Sequence, residues 1–288
     1  MNSRGIKRLH DHLGKNSEAD DFLVEILEDT SISQDYVDRL QYLLAISNVL
    51  NESLDSSGNP LYAHIGGYSV LAHLVGRFGN GIHRFWRTSH DLDMVFFDPR
   101  LLNIVKGQFK VEHERTSHLP NKKSYILTDT EVNSELELDA YIPDRNTGRI
   151  FINSREISGL RNVLATPLFY GIPVSIPDEP AILDLKLDIG YDEDRRKSRN
   201  PRPRDIQDIF DLLSVMSQSR SVEDSVNTLG SRLSPTNIER LCRVLRGNSL
   251  DITAKPEAIG KSQSEHVYNA TTRLVNAFLA RYDRSGYI

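Results

Sequence analysis

The chain has 288 residues, a formal net charge of −5 and a single cysteine, Cys242. With 39% apolar and 26% charged residues it has the composition of an ordinary globular protein, long enough for one large domain or two small ones. The negative charge argues against non-specific nucleic-acid binding, and one cysteine excludes an intramolecular disulfide or a multi-cysteine zinc site. Residues 1–21 lack the apolar segment of a signal peptide, so we expect a cytoplasmic protein.

The first sixty residues are predicted to form helices and to contribute no chemistry. Residues 1–20 are polar and charged, and we expect them to be mobile. A short helix is predicted to start at Asp21, and apolar residues at helical spacing predict a longer one from Gln34 to Ser53. Ser33 is the expected N-cap of the longer helix.

Residues 61–98 form the stretch around which we expect the chain to be organised. An apolar lead-in runs into Gly66 and Gly67, and a second apolar run opens with Asp91 and Asp93. The pattern predicts a strand, a glycine turn, a helix, a long loop and a strand. Because side chains alternate along a strand, the two aspartates project from one face, roughly 7 Å apart. Neighbouring carboxylates repel, and their hard oxygen atoms favour Mg²⁺ or Mn²⁺ over zinc.

A second acidic strand is predicted within residues 134–143. Apolar residues there share one face, and Glu135, Glu137 and Asp139 share the other. Acidic residues are poor strand formers, so this face needs an explanation. For Glu135 we expect a solvent-facing position at a sheet edge.

The second half opens with a predicted helix that has Pro180 in its first turn and contains Lys186. A basic run follows at 195–204, and residues 205–213 predict a helix with an apolar core face. The basic run is either a solvated linker or a contact surface for an RNA backbone, and the second reading is favoured. We place the lobe boundary near Pro180, which gives lobes 1–180 and 181–288.

The remaining elements follow from the same patterns. Ser234 is the expected N-cap of a helix in which Cys242 is a small buried residue. The other predicted elements are a helix within 99–110, strands at 109–112, 124–128, 149–152 and 171–174, and helices at 222–229, 235–245 and 264–282.

The first motif resembles that of a known family. Gly66-Gly67-Tyr68-Ser69 followed by Arg87-x-Ser89-x-Asp91-x-Asp93 resembles the signature of the polymerase-beta-like nucleotidyltransferases. The chain departs from it in a longer segment between Gly67 and Asp91, with extra glycines around 76–85.

A second pair of motifs narrows the resemblance to the AbiEii/AbiGii toxin group. Lys186 resembles that group's helical lysine, and the run from Arg204 to Ile209 resembles its (R/K)-D-x-x-D-(L/I) motif. The departures are Ile189, where alanine is usual, and an insertion around 191–200. Together the matched motifs span residues 61–213.

The resemblance implies an α+β fold: a nucleotidyltransferase lobe with a mixed sheet flanked by helices, then a mainly helical C-terminal lobe. It also implies a third metal-binding carboxylate on a nearby strand, which Asp139 matches, with Glu137 as the runner-up. In the implied reaction a hydroxyl attacks the α-phosphorus of an NTP, pyrophosphate departs, and Mg²⁺ or Mn²⁺ is the cofactor.

The resemblance also assigns roles to residues, which we state here as expectations. The metal ligands are Asp91, Asp93 and Asp139. The catalytic residues are Asp91, Asp93, Lys186 and Asp205. The nucleotide-binding residues are Gly66, Gly67, Ser69, Ser89, Lys186 and Asp208. The acceptor-binding residues are Arg195, Arg196, Lys197, Arg199 and Arg202.

The leading functional hypothesis is the toxin of a toxin–antitoxin or phage-defence pair that transfers a nucleotide to the tRNA 3′ end. Its expected partners are an NTP, an RNA or protein acceptor and a cognate antitoxin, without a membrane. A second hypothesis is NMP transfer to a protein hydroxyl or to a small molecule such as an aminoglycoside. The third is a catalytically inactive nucleotide-binding regulator, against which the retained carboxylates and Lys186 argue.

Overall fold

A computed structural model of the chain describes residues 5–13, 32–79, 81–82, 86, 89, 91–116, 121–152, 155–169, 171–190 and 202–283. The structure is of the α+β class, as the sequence predicts. It falls into two compact units, Met1–Ala72 with Arg87–Pro177 and His73–Trp86 with Asp178–Ile288.

The first unit contains a five-stranded mixed sheet with the strand order β1-β2-β5-β4-β3. Strands β2 and β5 are parallel, and the other neighbours in the sheet are antiparallel. The elements between Gly5 and Tyr141 are α1 (Gly5–Leu13), α2 (Gln34–Leu50), β1 (Tyr62–Ile65), α3 (Gly67–Phe78), β2 (Asp91–Phe96), α4 (Arg100–Gln108), β3 (Lys110–Thr116), β4 (Lys122–Thr128) and β5 (Leu136–Tyr141).

The central strands β2 and β5 have one apolar and one acidic face. Leu92 and Leu138 are fully buried on the apolar face. Asp93 and Asp139 lie directly opposite each other on the other face. Because one face is buried, the hydrophobic pattern fixes the register and holds the aspartates on the side away from the core.

The helix α1 corrects the expectation that the start of the chain is mobile. Ile6, Leu9 and Leu13 recur at helical spacing, and all three are buried where α1 packs against α2. Ser33 caps α2 as predicted, since its side chain accepts a hydrogen bond from the Tyr36 amide at 3.3 Å. The helix predicted from Asp21 lies outside the described residues.

The position of β5 corrects a second expectation. Glu135 is exposed, as expected, but β5 lies between β2 and β4 and is therefore not at the sheet edge. Short pairings follow this strand, with a 3₁₀ turn at Ser158–Val163 among them. They are β6 (Phe151–Ile152) with β7 (Arg155–Glu156), β8 (Leu164–Ala165) with β11 (Ile176–Pro177), and β9 (Leu168–Phe169) with β10 (Ile172–Pro173).

The second unit is helical, with the C-terminal helix α10 as its centre. This helix packs against α6, α7, α8 and α9. The helices are α5 (Glu179–Gly190), α6 (Pro203–Ser219), α7 (Val222–Arg232), α8 (Pro235–Gly247), α9 (Pro256–Ile259) and α10 (Lys261–Tyr282).

Two local predictions in the second unit are confirmed. The Ser234 hydroxyl caps α8 by accepting a hydrogen bond from the Asn237 amide at 3.2 Å. Cys242 is buried in α8, and burial raises the pKa of its thiol to about 11.

Among the helices of the described residues, none has both the length and the apolar character that crossing a bilayer requires.

Candidate metal centre and nucleotide site

Three carboxylates converge on one face of the sheet in the first unit. Asp91, Asp93 and Asp139 each place an oxygen atom within 4.8 Å of the others. The parallel pairing explains this convergence, because Asp93 on β2 lies opposite Asp139 on β5 and Asp91 is two residues earlier on the same face. Strand alternation predicted the shared face of Asp91 and Asp93, and the family resemblance implied Asp139, while metal binding by the cluster stays a prediction.

The donor set fits a hard divalent cation. Three carboxylates at this spacing repel one another unless a positive charge lies among them. Oxygen ligands in this number suit Mg²⁺ or Mn²⁺, which complete their coordination with water or phosphate oxygens.

Glu137, the runner-up for the third carboxylate, does not belong to this cluster among the described residues. It lies opposite Asp91 in the register, and its carboxylate pairs with Arg115 at 3.4 Å. Asp139 is therefore the residue that completes the acidic cluster.

The turn between β1 and α3 is shaped around Asp93. Gly66 has a φ of 78°, a conformation that side chains disfavour, and a Cβ at this position would overlap the Asp93 carboxylate. The helix α3 begins at the next residue, Gly67, so its first amides lie beside the acidic cluster. Amides at a helix N-terminus favour anions, which suits the predicted role of Gly66 and Gly67 towards phosphate.

Ser69 is fully buried in the first turn of α3. Its hydroxyl donates a hydrogen bond to the Gly66 carbonyl at 2.8 Å. The observed contact therefore stabilises the glycine turn, while direct binding of Ser69 to a nucleotide stays a prediction.

Ser89 positions the first aspartate of the pair. Its hydroxyl is 3.2 Å from both the carbonyl oxygen and a carboxylate oxygen of Asp91. The Ser89 carbonyl accepts hydrogen bonds from Arg39 at 2.9 Å and from Tyr68 at 3.4 Å. Sequence reasoning missed Arg39 and Tyr68, because nothing local links α2 or the start of α3 to this loop.

Asp139 has two partners on β4 that the sequence analysis also missed. The Ser124 hydroxyl donates to one carboxylate oxygen at 2.5 Å, and the Lys122 ammonium lies 2.5 Å from the other. Ser124 is opposite Asp139 in the antiparallel register, and Lys122 is two residues away on the same face. Alternation along β4 groups Lys122 with Ser124, but only the pairing of β4 with β5 shows that they face Asp139.

A second charged cluster lies within the helical unit and joins α5 to α6. The Lys186 ammonium is 2.5 Å from Asp208 and 3.9 Å from Asp205. All three residues are buried, and Asp208 is completely so. Arg202 lies beside them, with its guanidinium 3.2 Å from Asp205. The structure thus brings together the lysine and both aspartates that the motifs identified.

The helix that carries Lys186 is fixed to α8 by a polar contact. The side chain of Asn237 is completely buried and donates to the Asp184 carboxylate at 2.7 Å. Arg240 pairs with Asp188 on the same helix at 2.9 Å. Each of these contacts joins α5 to α8, so they limit the movement of α5 relative to α8.

Several of the predicted residues lie outside the described part of the chain. Four of the acceptor-binding candidates lie outside the described residues, as does the motif residue Arg87; the four are Arg195, Arg196, Lys197 and Arg199. The fifth candidate, Arg202, is described, and its side chain is about half exposed beyond the contact with Asp205.

No family model matches the chain, and no curated protein matches it. Among solved structures it is similar to a candidate nucleotidyltransferase from H. pylori, with 13% identity over 88% of this chain and 98% of that one and a TM-score of 0.46. It is also similar to JHP933 from Helicobacter pylori, with 14% identity over 89% and 97% of the two chains and a TM-score of 0.42. A further similar structure is the antibiotic-resistance factor ANT(2'')-Ia, with 17% identity over 67% and 91% and a TM-score of 0.40. Likenesses at these scores carry no weight for function.

Proposed function

We propose that the protein is a metal-dependent nucleotidyltransferase that moves a nucleotide from an NTP to an acceptor hydroxyl and releases pyrophosphate. The observation that supports this most is the convergence of Asp91, Asp93 and Asp139 beside the Gly66 turn. Any one of these features alone has an ordinary structural explanation. A glycine turn shaped around a carboxylate of a three-carboxylate cluster suits metal-bound phosphate chemistry.

In this proposal each group of the first unit has a defined task. Asp91, Asp93 and Asp139 would hold one or two divalent ions, which supply Lewis-acid activation of the phosphate and of the attacking hydroxyl when bound. Ser89 keeps Asp91 oriented, and the amides at the start of α3 would face the phosphates. The acceptor oxygen forms a bond to the α-phosphorus, the bond from that phosphorus to the pyrophosphate oxygen breaks, and the hydroxyl proton leaves to a neighbouring carboxylate or to water.

Lys186 is proposed as a cation for the triphosphate, with Asp205 and Asp208 holding it in place. A lysine ammonium is a compact charge suited to phosphate oxygens. Its close contact with the fully buried Asp208 supports an oriented ammonium, since a surface lysine would be free to move. Arg202 and the basic run before it are proposed to contact acceptor phosphates.

The proposed biological role is that of a toxin which modifies the tRNA 3′ end and is held in check by an antitoxin. Support comes from the Lys186 motif and the run from Arg204 to Ile209, which resemble the AbiEii/AbiGii pattern. The two domains predicted from the sequence are part of the same proposal. Residues 1–180 would carry out nucleotidyl transfer, and residues 181–288 contain the lysine and aspartate motifs.

The test is to incubate the purified protein with Mg²⁺ and each radiolabelled NTP in turn. One arm contains total RNA, one contains protein alone, and one contains an aminoglycoside. Label on tRNA, lost when the tRNA 3′ end is blocked, is the expected result. Label on protein or on the aminoglycoside would identify that molecule as the acceptor instead of tRNA. Nucleotide binding without pyrophosphate release in every arm would overturn the proposal that the protein transfers nucleotides.

A further inference from the structure

The third carboxylate of the acidic cluster already has a cation of the protein's own. The Lys122 ammonium lies 2.5 Å from one oxygen of Asp139, and the Ser124 hydroxyl occupies the other oxygen. Lys122 is largely enclosed, with 21% of its side chain exposed, and its ammonium also lies over the ring of Tyr141 at 5.6 Å. It is therefore held in place at the cluster from two directions.

This arrangement changes the charge that an incoming metal ion meets. The three carboxylates attract a divalent ion, and the positive charge of Lys122 beside Asp139 offsets part of that attraction. A metal ion that binds Asp139 therefore meets repulsion from the Lys122 ammonium, whereas a negatively charged triphosphate would be attracted by it. In a partly buried site such interactions between charges are large compared with thermal energy.

We propose that Lys122 is an internal counter-cation that competes with divalent metal for Asp139. It lowers the affinity of the site for metal in the absence of nucleotide. The proposal rests on the metal-binding part of the proposed function and adds a residue that regulates it. Once metal takes over the Asp139 oxygen, the displaced ammonium is available to a phosphate oxygen.

The chain provides a matched control one residue away. Lys123 is on the same strand but faces the other side of the sheet, where it pairs with Glu114 at 3.3 Å. Lys122→Met and Lys123→Met therefore remove the same charge from the same strand, and only the first removes it from the acidic cluster.

The experiment is a Mn²⁺ titration of the full-length protein without nucleotide, followed by the electron paramagnetic resonance signal of free Mn²⁺. We expect Lys122→Met to bind Mn²⁺ about tenfold more tightly than the wild type, because a unit charge close to a divalent ion is removed. Lys122→Arg, which keeps the charge, and Lys123→Met should behave like the wild type. The gain should disappear in an Asp139→Asn background.

The possible outcomes separate this proposal from the proposed function. Equal Mn²⁺ affinity in Lys122→Met and wild type would overturn the competition while leaving metal binding intact. Weaker affinity in Lys122→Met would also overturn it, since Lys122 would then position Asp139 for the metal. If no form of the folded protein binds Mn²⁺ even with NTP present, the metal-dependent function itself fails. Circular dichroism melting of each variant shows that the comparison is made between folded proteins.

Discussion

At the scale of the residue, β2 has the proposed metal ligands on one face and core residues on the other. Asp93 and Leu92 are neighbours on β2, but one lies in the acidic cluster and the other is fully buried in the core. A residue that faces away from the core can be changed with little effect on folding. The two positions therefore allow function and stability to be tested separately.

Asp93→Ala should abolish transfer while the protein stays folded. We expect activity to fall by more than about 100-fold, the size of effect that changes around metal ligands already cause. Leu92→Ala should instead lower the free energy of unfolding by about 2–5 kcal/mol through loss of core packing. Transfer assays and urea denaturation of both variants test this. An unfolded Asp93→Ala protein, or one with full activity, would contradict the assigned role.

Lys186 calls for a different design, because its removal takes an ammonium away from the buried carboxylate of Asp208. Lys186→Met should destabilise the helical unit by about 3–5 kcal/mol, since Asp208 stays buried and loses the ammonium that lies 2.5 Å from it. The double variant Lys186→Met/Asp208→Asn should recover much of that stability. Thermal melts of the two proteins measure the recovery.

Activity of the double variant then tests the functional role of Lys186. If the lysine binds triphosphate, the stable double variant stays severely impaired in its use of NTP. Recovery of the wild-type rate and apparent NTP affinity would show that Lys186 serves the structure alone.

At the scale of the element, the turn from β1 into α3 is a segment in which we expect a single substitution to impair function. Gly66→Ala should both strain the backbone, by about 1–2 kcal/mol, and push against Asp93. Gly58→Ala is a matched control, because Gly58 also has a positive φ, of 81°, but has no atom within 4 Å of the added Cβ. We expect similar destabilisation of both variants and loss of transfer and Mn²⁺ binding only in Gly66→Ala. Equal activity of the two would mean that the turn is not fitted to the cluster.

The elements that could be predicted were those with strong local patterns. Alternation identified β2 and β5, and helical spacing with a serine cap identified α2 and α8, because these signals lie within a few neighbouring residues. The resemblance then supplied Asp139. Lys122 and Arg39 were missed because their contacts with Asp139 and Ser89 depend on strand register and helix packing, which join residues far apart in the chain. The helix α1 was missed because its short apolar spacing is embedded in a charged sequence.

At the scale of the whole molecule, a buried acid in the helical unit makes stability depend on pH. Burial raises the pKa of Asp211 from 3.8 to about 7, although Thr253 donates hydrogen bonds to the carboxylate from its amide and its hydroxyl. The folded state therefore binds a proton that the unfolded state has lost between these two pH values. By linkage, this group makes the free energy of unfolding fall as the pH rises from about 4 to about 7.

Asp211→Asn should remove this dependence. An asparagine at this position keeps an acceptor for the Thr253 amide and carries no charge to bury. The free energy of unfolding of the variant should therefore increase relative to that of the wild type as the pH rises. Urea denaturation of both proteins at pH 5, 6, 7 and 8 measures the difference. Asp251→Asn, at an exposed position, provides the control. A constant difference between Asp211→Asn and the wild type at every pH would show that Asp211 does not titrate in this range.

The parallel pairing of β2 and β5 has a consequence for how the protein can fail. Slippage of β5 by one residue against β2 would exchange Asp139 for Leu138 or Ala140, turning a carboxylate into the core and an apolar group towards the cluster. The hydrophobic penalty for such an exchange protects the geometry of the acidic cluster without any contribution from the aspartates themselves. Mutations that loosen the apolar side of this sheet should therefore abolish the proposed metal binding before the sheet itself melts, so that a spectroscopic metal probe would detect damage that secondary-structure measurements overlook.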